Sequence, residues 1–544
     1  MSSWTFADVW EAIARIQPDN PAFVQGERIV TWGQFDARAD ALAAHMIDAG
    51  LDRQAKVAAF LYNGPEYVES YFAAFKGGFA PVNTNYRYGP EELFYLFDNA
   101  DAQAVLFHSS FAEVLEGVRD RLPGVKTWIA VAEPGHAVPA WAVDYEDVVA
   151  APPQQRPVMA AWGRSGDDQL LLYTGGTTGM PKGVMWAQDD LFNVLGAGGN
   201  TLLGIPPATG LDDLIGRIQS PEHIRPTSLI ACPLMHGTGQ FSNLICFNSG
   251  GTAAYLPSRR FNPMELWDEA DRLGASAIVI VGLAFSTPML EALENQPDRW
   301  DLSTVKAMSS SGSMWSQENK QGLLRFAKNA MIFDSFGSSE AVGLGVSASA
   351  PGAEAKTAAF VPGPNCVVFT EDGRRVEPGS GERGLVAVTG LLPRGYYKDE
   401  EKTAKTFRTI EGVRWSVPGD WAEVNADGSL KLLGRGSVCI NTGGEKVFPE
   451  EVEEALKTHP VVRDAVVVGL PDARFGERIC AVVETDGLAR PTLAELSEHV
   501  RSSLAGYKAP RDLVLVESIG RAPNGKVDYK AIKDRAVSAL ASTA

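Results

Sequence analysis

Apolar positions along the chain switch repeatedly between a helical and a strand-like rhythm. Residues 34–50 place alanine, leucine and methionine at helical spacing and end on a glycine suited to a helix cap, so they predict an amphipathic helix. Residues 56–62 read as a strand, 65–77 as a helix opened by Pro65, 79–82 as a further apolar segment and 104–107 as another strand. The same alternation returns in the apolar segment 253–256, a helix over 263–273, an apolar run at 277–281 and a helix over 287–295. Buried strands flanked by helices predict layered α/β subdomains. No GxGxxG follows the first strand, so a dinucleotide-binding Rossmann unit is not expected.

The pattern changes after residue 425. A turn at 426–429, a short strand and Gly434-Arg435-Gly436 lead into a smaller unit with a helix at 449–457, strands at 464–468 and 479–484 and a helix at 493–504. The expected organisation is a large N-terminal domain over 1–434 and a small, mobile C-terminal α+β domain over 438–544, with a hinge near 435–437. Residues 151–164 read as a crossover, and 203–230 as an insertion bordering a substrate entrance, its role otherwise unread.

Composition narrows the classes. At 544 residues the chain exceeds one ordinary domain, and 45% hydrophobic with 21% charged residues marks a globular protein. A net charge of −18 without a basic block argues against nucleic-acid binding, while still allowing a small anion to be held by a local loop. Five cysteines without CxxC spacing fit neither a disulfide framework nor a zinc site, and a cytoplasmic location is expected. No run is long and apolar enough for a membrane span; peripheral membrane contact and a homodimer are left open.

The densest chemistry lies in Tyr173-Thr174-Gly175-Gly176-Thr177-Thr178-Gly179-Met180-Pro181-Lys182-Gly183, after an apolar run at 170–172. Glycines let backbone N–H groups approach an anion, Thr174, Thr177 and Thr178 add hydroxyls, and Lys182 adds charge. A Walker A loop would continue from the lysine to Ser or Thr, whereas Gly183 and Val184 follow here. The segment reads as a triphosphate loop of another kind.

Several other residues fit the activation of a carboxylic acid by ATP. After an apolar strand at 331–333, Asp334-Ser335-Phe336-Gly337-Ser338-Ser339-Glu340 reads as a compact polar turn. It offers Phe336 for adenine stacking, Ser339 for phosphate and Glu340 as a magnesium ligand. Asp420 can accept ribose hydroxyls and Arg435 can donate to the sugar, although for each alone a surface salt bridge is the simpler reading. His236 lies in what reads as a glycine-bearing loop opening (Gly237, Gly239), equally suited to a substrate gate or a core hydrogen bond. Lys526, in Asn524-Gly525-Lys526, is either a solvated lysine or one delivered by domain closure.

Together these segments, with the stretch from Gly434 to Glu453, resemble the adenylate-forming superfamily of acyl-CoA synthetases, peptide-synthetase adenylation domains and luciferases. Within it they are similar to actinobacterial fatty-acyl-CoA synthetases for long-chain or steroid side-chain acids. The resemblance implies ATP, Mg2+ and coenzyme A as reactants, and a hydrophobic acid activated to acyl-AMP and passed to CoA. It also implies that Ser311, Gly312 and Ser313 line the adenine opposite Phe336, which replaces the commoner tyrosine, and that Gly337 and Ser338 belong to the same nucleotide wall. Asp334 would approach the adenine amino group, Asp420 would bind ribose and Thr174 would assist Glu340 at the metal. Lys526 would serve adenylation together with Lys182, Thr174 and His236. Ser437 aligns with the hinge, where aspartate or lysine is usual, and Gly443 and Gly444 with the loop used in thioester formation. A carrier-dependent adenylating enzyme and a luciferase-like oxygenase share these motifs. An amino-acid substrate is disfavoured because 237–244 holds no acidic residue.

Overall fold

The computed structural model describes all residues except 1–2, 175–179, 201–203, 314, 353–358, 436–437, 439, 443–444, 473–475, 486, 488–489, 505, 523–524, 526 and 542–544. The side chains of 435, 441, 445, 446 and 476 also lie outside the description. The chain folds as an α/β protein with a large N-terminal part and a small C-terminal one.

Many predicted elements form close to their expected limits, for local reasons. The helix Trp32–Asp48 starts where Thr31 and Gln34 make a reciprocal capping box. The helix Pro65–Gly77 opens on its proline and closes on Gly78, whose φ of 66° suits a left-handed cap. Helices Pro263–Leu273 and Pro449–Lys457 also begin on a proline.

Among the limits that shift, two bear on the site. The helix expected from 287 begins at Gly282, five residues earlier, and runs through Pro288 to Asn295. Its start is fixed by a tertiary contact, the hydrogen bond from Gly282 N to Ser310 Oγ (2.8 Å), rather than by the proline. The polar turn expected at 334–340 is mostly strand: Met331–Ser338 pairs antiparallel with Ala341–Ser349, and only Ser339 and Glu340 remain at the tip. Its local polarity is outweighed by ladder hydrogen bonds on both edges, since Ala307–Ser311 pairs along the other side.

Three sheets organise the described residues. One carries the parallel strands Pro21–Gln25, Thr252–Tyr255, Thr227–Ile230, Ala277–Ile280, Ala307–Ser311 and Met331–Ser338, then turns antiparallel toward Leu430–Arg435 and Asp420–Val424. A second holds Ala80–Asn83, Lys56–Phe60 and Ala102–His108 in parallel, with the hairpin Gln169–Thr174 and Lys182–Ala187 at its side. The third joins Ile440–Thr442, Val462–Asp472, Gly476–Thr485 and Asp512–Val516 in the C-terminal part. No helix among the described residues is long and apolar enough to cross a membrane.

Helices between the first two sheets bury a shared aromatic core around Trp10, which contacts Phe6, Phe35, Phe72, Phe75 and Phe247. Beside it lies a buried ionic network. Lys76, fully buried, reaches Glu11 (2.7 Å), Asp36 (2.7 Å) and Asp40 (2.9 Å). Arg156 and Arg164, from the segment read as a crossover, complete the charge balance. Removing one member of such a network strands the others, at a cost of about 3–5 kcal/mol. Lys76→Met is therefore expected to lower the midpoint of the first denaturant transition, with Lys76→Arg less damaging; an unchanged midpoint in both would show that the network contributes nothing net.

Candidate functional site

One cavity of about 2210 Å³ gathers nearly all the described residues singled out in the sequence. It is larger than the roughly 300–1,000 Å³ that one small ligand needs, so it can hold more than one reactant. Its polar end lies at the carboxyl ends of the parallel strands, the usual ligand position in such sheets.

At that end Thr174 and Lys182 face each other as the closing pair of their hairpin. Lys182 makes an ion pair with Asp399, and this hydrogen bond holds the Asp399 carboxyl below its ordinary pKa. Across the cavity Glu340 sits at the tip of the Met331–Ser349 hairpin. Tyr396 Oη donates to its Oε1 (2.7 Å), Ser416 Oγ donates to its carbonyl (2.7 Å), and Trp186 Nε1 donates to the carbonyl of Ser339 (2.9 Å). Two of these bonds hold the backbone of the hairpin tip and the one from Tyr396 orients the carboxylate, an oxygen donor of the kind magnesium prefers.

The adjoining wall carries Ser311, Gly312, Ser313, Asp334, Phe336, Gly337, Ser338 and Ser339. Gly312 has φ 86°, a conformation that favours glycine, and Thr238 Oγ1 donates to the carbonyl of Ser311 (3.2 Å). Ser338 Oγ is buried with no hydrogen-bond partner among the described residues, which suits a wall that meets a polar ligand. Phe336 packs against Phe360 with ring centroids 5.6 Å apart. Asp334 Oδ2 accepts from the buried Lys320 (2.9 Å); burial raises its pKa against the pull of that lysine. Asp420, buried at the start of its strand, pairs in register with Arg435, whose side chain is outside the described set.

From the polar end a corridor runs between a helix and a sheet face. Contrary to the loop read around it, His236 is the N-cap residue of the helix Gly237–Asn248. Thr238, Phe241, Ser242, Ile245, Cys246 and Ser249 line the corridor at helical spacing, spanning about 17 Å. Opposite them stand alternate residues of the strands, Ser228, Ala277, Val279, Ala307 and Ser309. Gly239 does not widen this space. Its glycine serves packing, because a Cβ there would stand 2.4 Å from the carbonyl of Pro233. The segment read as an insertion closes a side wall through Pro206, Leu214, Ile218 and Ile224.

The C-terminal part supplies the remaining wall through Glu450, Glu453, Lys457, Arg521, Gly525 and Tyr529. A Cβ on Gly525 would lie 3.2 Å from Ser313, so the turn before Lys526 meets the serine-glycine segment closely. Thr177, Thr178, Ser437, Gly443, Gly444 and Lys526 lie outside the described residues.

Sequence reading missed Tyr396, Asp399, Lys320 and Asn83. Asn83 donates to the carbonyls of Tyr173 (2.9 Å) and Met235 (2.7 Å), joining the strand Gln169–Thr174 to the segment before the helix Gly237–Asn248. Their contacts in the site lie 14 to 217 positions away and leave no local pattern; the local contact of Asp399, accepting from Lys402 N (2.9 Å), marks only a helix cap.

The AMP-binding enzyme family matches residues 10–397, and the AMP-binding enzyme C-terminal domain matches 451–526. The chain is 41% identical over 543 residues to a medium/long-chain-fatty-acid–CoA/3-oxocholest-4-en-26-oate–CoA ligase of Mycolicibacterium smegmatis, covering 97% of this chain and 96% of the relative. It is 41% identical over 538 residues to a 3-oxocholest-4-en-26-oate–CoA ligase of Rhodococcus rhodochrous, covering 97% and 95%. The solved structure of the anthranilate CoA ligase AuaEII with anthranoyl-AMP superposes with TM-score 0.84 at 20% identity, covering 99% of this chain and 98% of that one, a likeness of fold.

Asp334→Ala leaves the Lys320 ammonium buried without its carboxylate. The loss is expected to cost about 3–5 kcal/mol, read as a lowered denaturation midpoint, and the added change Lys320→Met should recover part of it. A double variant no better than the single one would show that the pair is not the source of the loss.

Proposed function

The chain belongs to the AMP-binding enzyme family, and from that premise we propose that it is an ATP-dependent acyl-CoA synthetase for a hydrophobic carboxylic acid, a long-chain fatty acid or a steroid side-chain acid. The observation that carries this reading is the continuity of the cavity, in which a polar, phosphate-suited end opens into a corridor about 17 Å long whose walls combine Phe241, Ile245, Ala277, Val279 and Ala307 with small serine and threonine side chains.

In the proposed reaction a carboxylate oxygen attacks the α-phosphorus of ATP, and the bond to the bridging oxygen breaks to release pyrophosphate. The CoA thiolate then attacks the acyl carbonyl and AMP leaves. Lys182 and Thr174, with Thr177 and Thr178 from the intervening loop, would neutralise the departing pyrophosphate. Ser311 to Ser313 and Phe336 would hold adenine and Asp420, with Arg435, the ribose. Gly337, Ser338 and Ser339 would complete the nucleotide wall. His236, at the head of the corridor helix, would stand beside the carboxylate.

Glu340 and Thr174 supply oxygen donors suited to Mg2+, which when bound would offset phosphate charge. Asp334 would meet the adenine amino group through its other carboxylate oxygen, since Oδ2 accepts from Lys320.

Lys526 would stabilise the first transition state, and rotation about the segment holding Ser437 would exchange it for the loop of Gly443 and Gly444 before thioester formation. The described cysteines are free thiols, which supports a cytoplasmic setting.

The decisive measurement incubates the purified protein with ATP, magnesium, CoA and a panel of short, long-chain, aromatic and sterol side-chain acids. Pyrophosphate and a CoA thioester from a hydrophobic acid are expected; pyrophosphate without thioester would redirect the reading to a carrier-dependent or luciferase-like enzyme. Lys526→Ala should cut pyrophosphate release at least about 100-fold and leave thioester formation from supplied acyl-adenylate within about twofold. Equal losses in both assays would reject this division of labour. Glu340→Gln should raise the magnesium concentration needed for half-maximal activation, and an unshifted titration would remove Glu340 from the metal site.

A further inference from the structure

Arg521 belongs to the cavity wall contributed by the C-terminal part, and nothing in the reaction above uses it. Its guanidinium is largely buried, and each of its three nitrogens donates a hydrogen bond. Nε and Nη2 donate to Asp464 Oδ2 (2.6 Å) and Oδ1 (2.9 Å), and Nη1 donates to the carbonyl of Gly525 (3.2 Å). Asp464 lies on the strand Val462–Asp472, anchored by its ladder with Gly476–Thr485. The arginine therefore spans from a rigid sheet to a turn, with the two-pronged geometry that only a guanidinium provides.

The turn is tight. Gly525 N donates to the carbonyl of Ala522 (2.7 Å), and Gly525 has φ 69°. Gly525 also meets the other part of the protein, since a Cβ there would stand 3.2 Å from both Cβ and Oγ of Ser313 and 3.4 Å from Val281. Burial pushes the Asp464 carboxyl up, but the hydrogen bonds and charge of Arg521, with Lys457 at 3.7 Å, hold it below its ordinary pKa, so it stays ionised and bound to the arginine.

We propose that Arg521 and Asp464 are positioning residues for the first half-reaction: their clasp fixes the Gly525 carbonyl, and so the turn leading into Lys526, against Ser313. The inference rests on the functional reading above. The clasp touches no reactant and acts through the turn alone. It is needed when the turn is seated for adenylate formation, and dispensable when a preformed adenylate is passed to CoA. Small misplacements of a charge-stabilising group are costly, about 100-fold for 1 Å.

The test uses Arg521→Lys, which keeps the charge but loses the fork and the third donor, together with Asp464→Asn and Gly525→Ala. Pyrophosphate release from acid and ATP is expected to fall at least about 10-fold in kcat for each, with KM for ATP within about threefold. Thioester formation from supplied acyl-adenylate and CoA should stay within about twofold, and the thermal midpoint should not account for the split.

A parallel fall in both half-reactions would make the clasp merely structural, and no fall in the first would remove its role; either overturns the inference alone. If the unsubstituted protein performs neither half-reaction with any acid, the functional reading fails and the inference falls with it. Gly525→Ala leaves Arg521 and Asp464 intact, so the split can still be read if the ion-pair variants fold poorly.

Discussion

Much of the site hangs on one strand pairing. Met331–Ser338 is the last parallel strand of its sheet and the first partner of an antiparallel one, bonded to Ala307–Ser311 on one edge and Ala341–Ser349 on the other. With both edges satisfied the strand cannot slip without losing two ladders, so its side chains are set in register. That register delivers Asp334 to Lys320, Phe336 to Phe360, Ser338 to the cavity and Glu340 to the hairpin tip. A one-residue shift would turn Asp334 and Phe336 to the opposite face.

The corridor follows from the same sheet. Parallel strands need covering on both faces, and here the helix Gly237–Asn248 covers one face while leaving space between it and the alternate residues of the strands. The space is kept by small side chains on the sheet, Ser228, Ala277, Ala307 and Ser309, and by the segment around Leu214 and Ile218 that closes its flank. Helical and strand periodicity line up the residues along the corridor, and side-chain size makes it wide.

Polar and close contacts join the two parts of the protein around this cavity. Arg463 bridges to Glu291 (2.9 Å) with both side chains about half exposed, a pairing worth little in water. Gly525 meets Ser313, and Gly434, with φ 103°, lies so close to Glu450 that any Cβ would clash. Contacts of this kind specify an arrangement without welding it, as a turnover with two successive site geometries would require.

The sequence by itself determined the helix starts at Pro65, Pro263 and Pro449, because prolines act within a few residues of themselves, while the helix read from 34 starts two residues earlier at the Thr31 cap. It also determined the α/β class and the glycine-threonine-lysine chemistry between Thr174 and Lys182, for the same reason of short range. Tertiary structure decided the early start of the helix at Gly282, the strand running through Asp334 to Ser338, and the helix opening at His236. It alone brought Tyr396 to Glu340, Asp399 to Lys182 and Arg521 to Asp464. These depend on ladders and buried charges that join distant segments, where the free energy of a satisfied long-range contact outweighs local preference and no neighbouring residue records it.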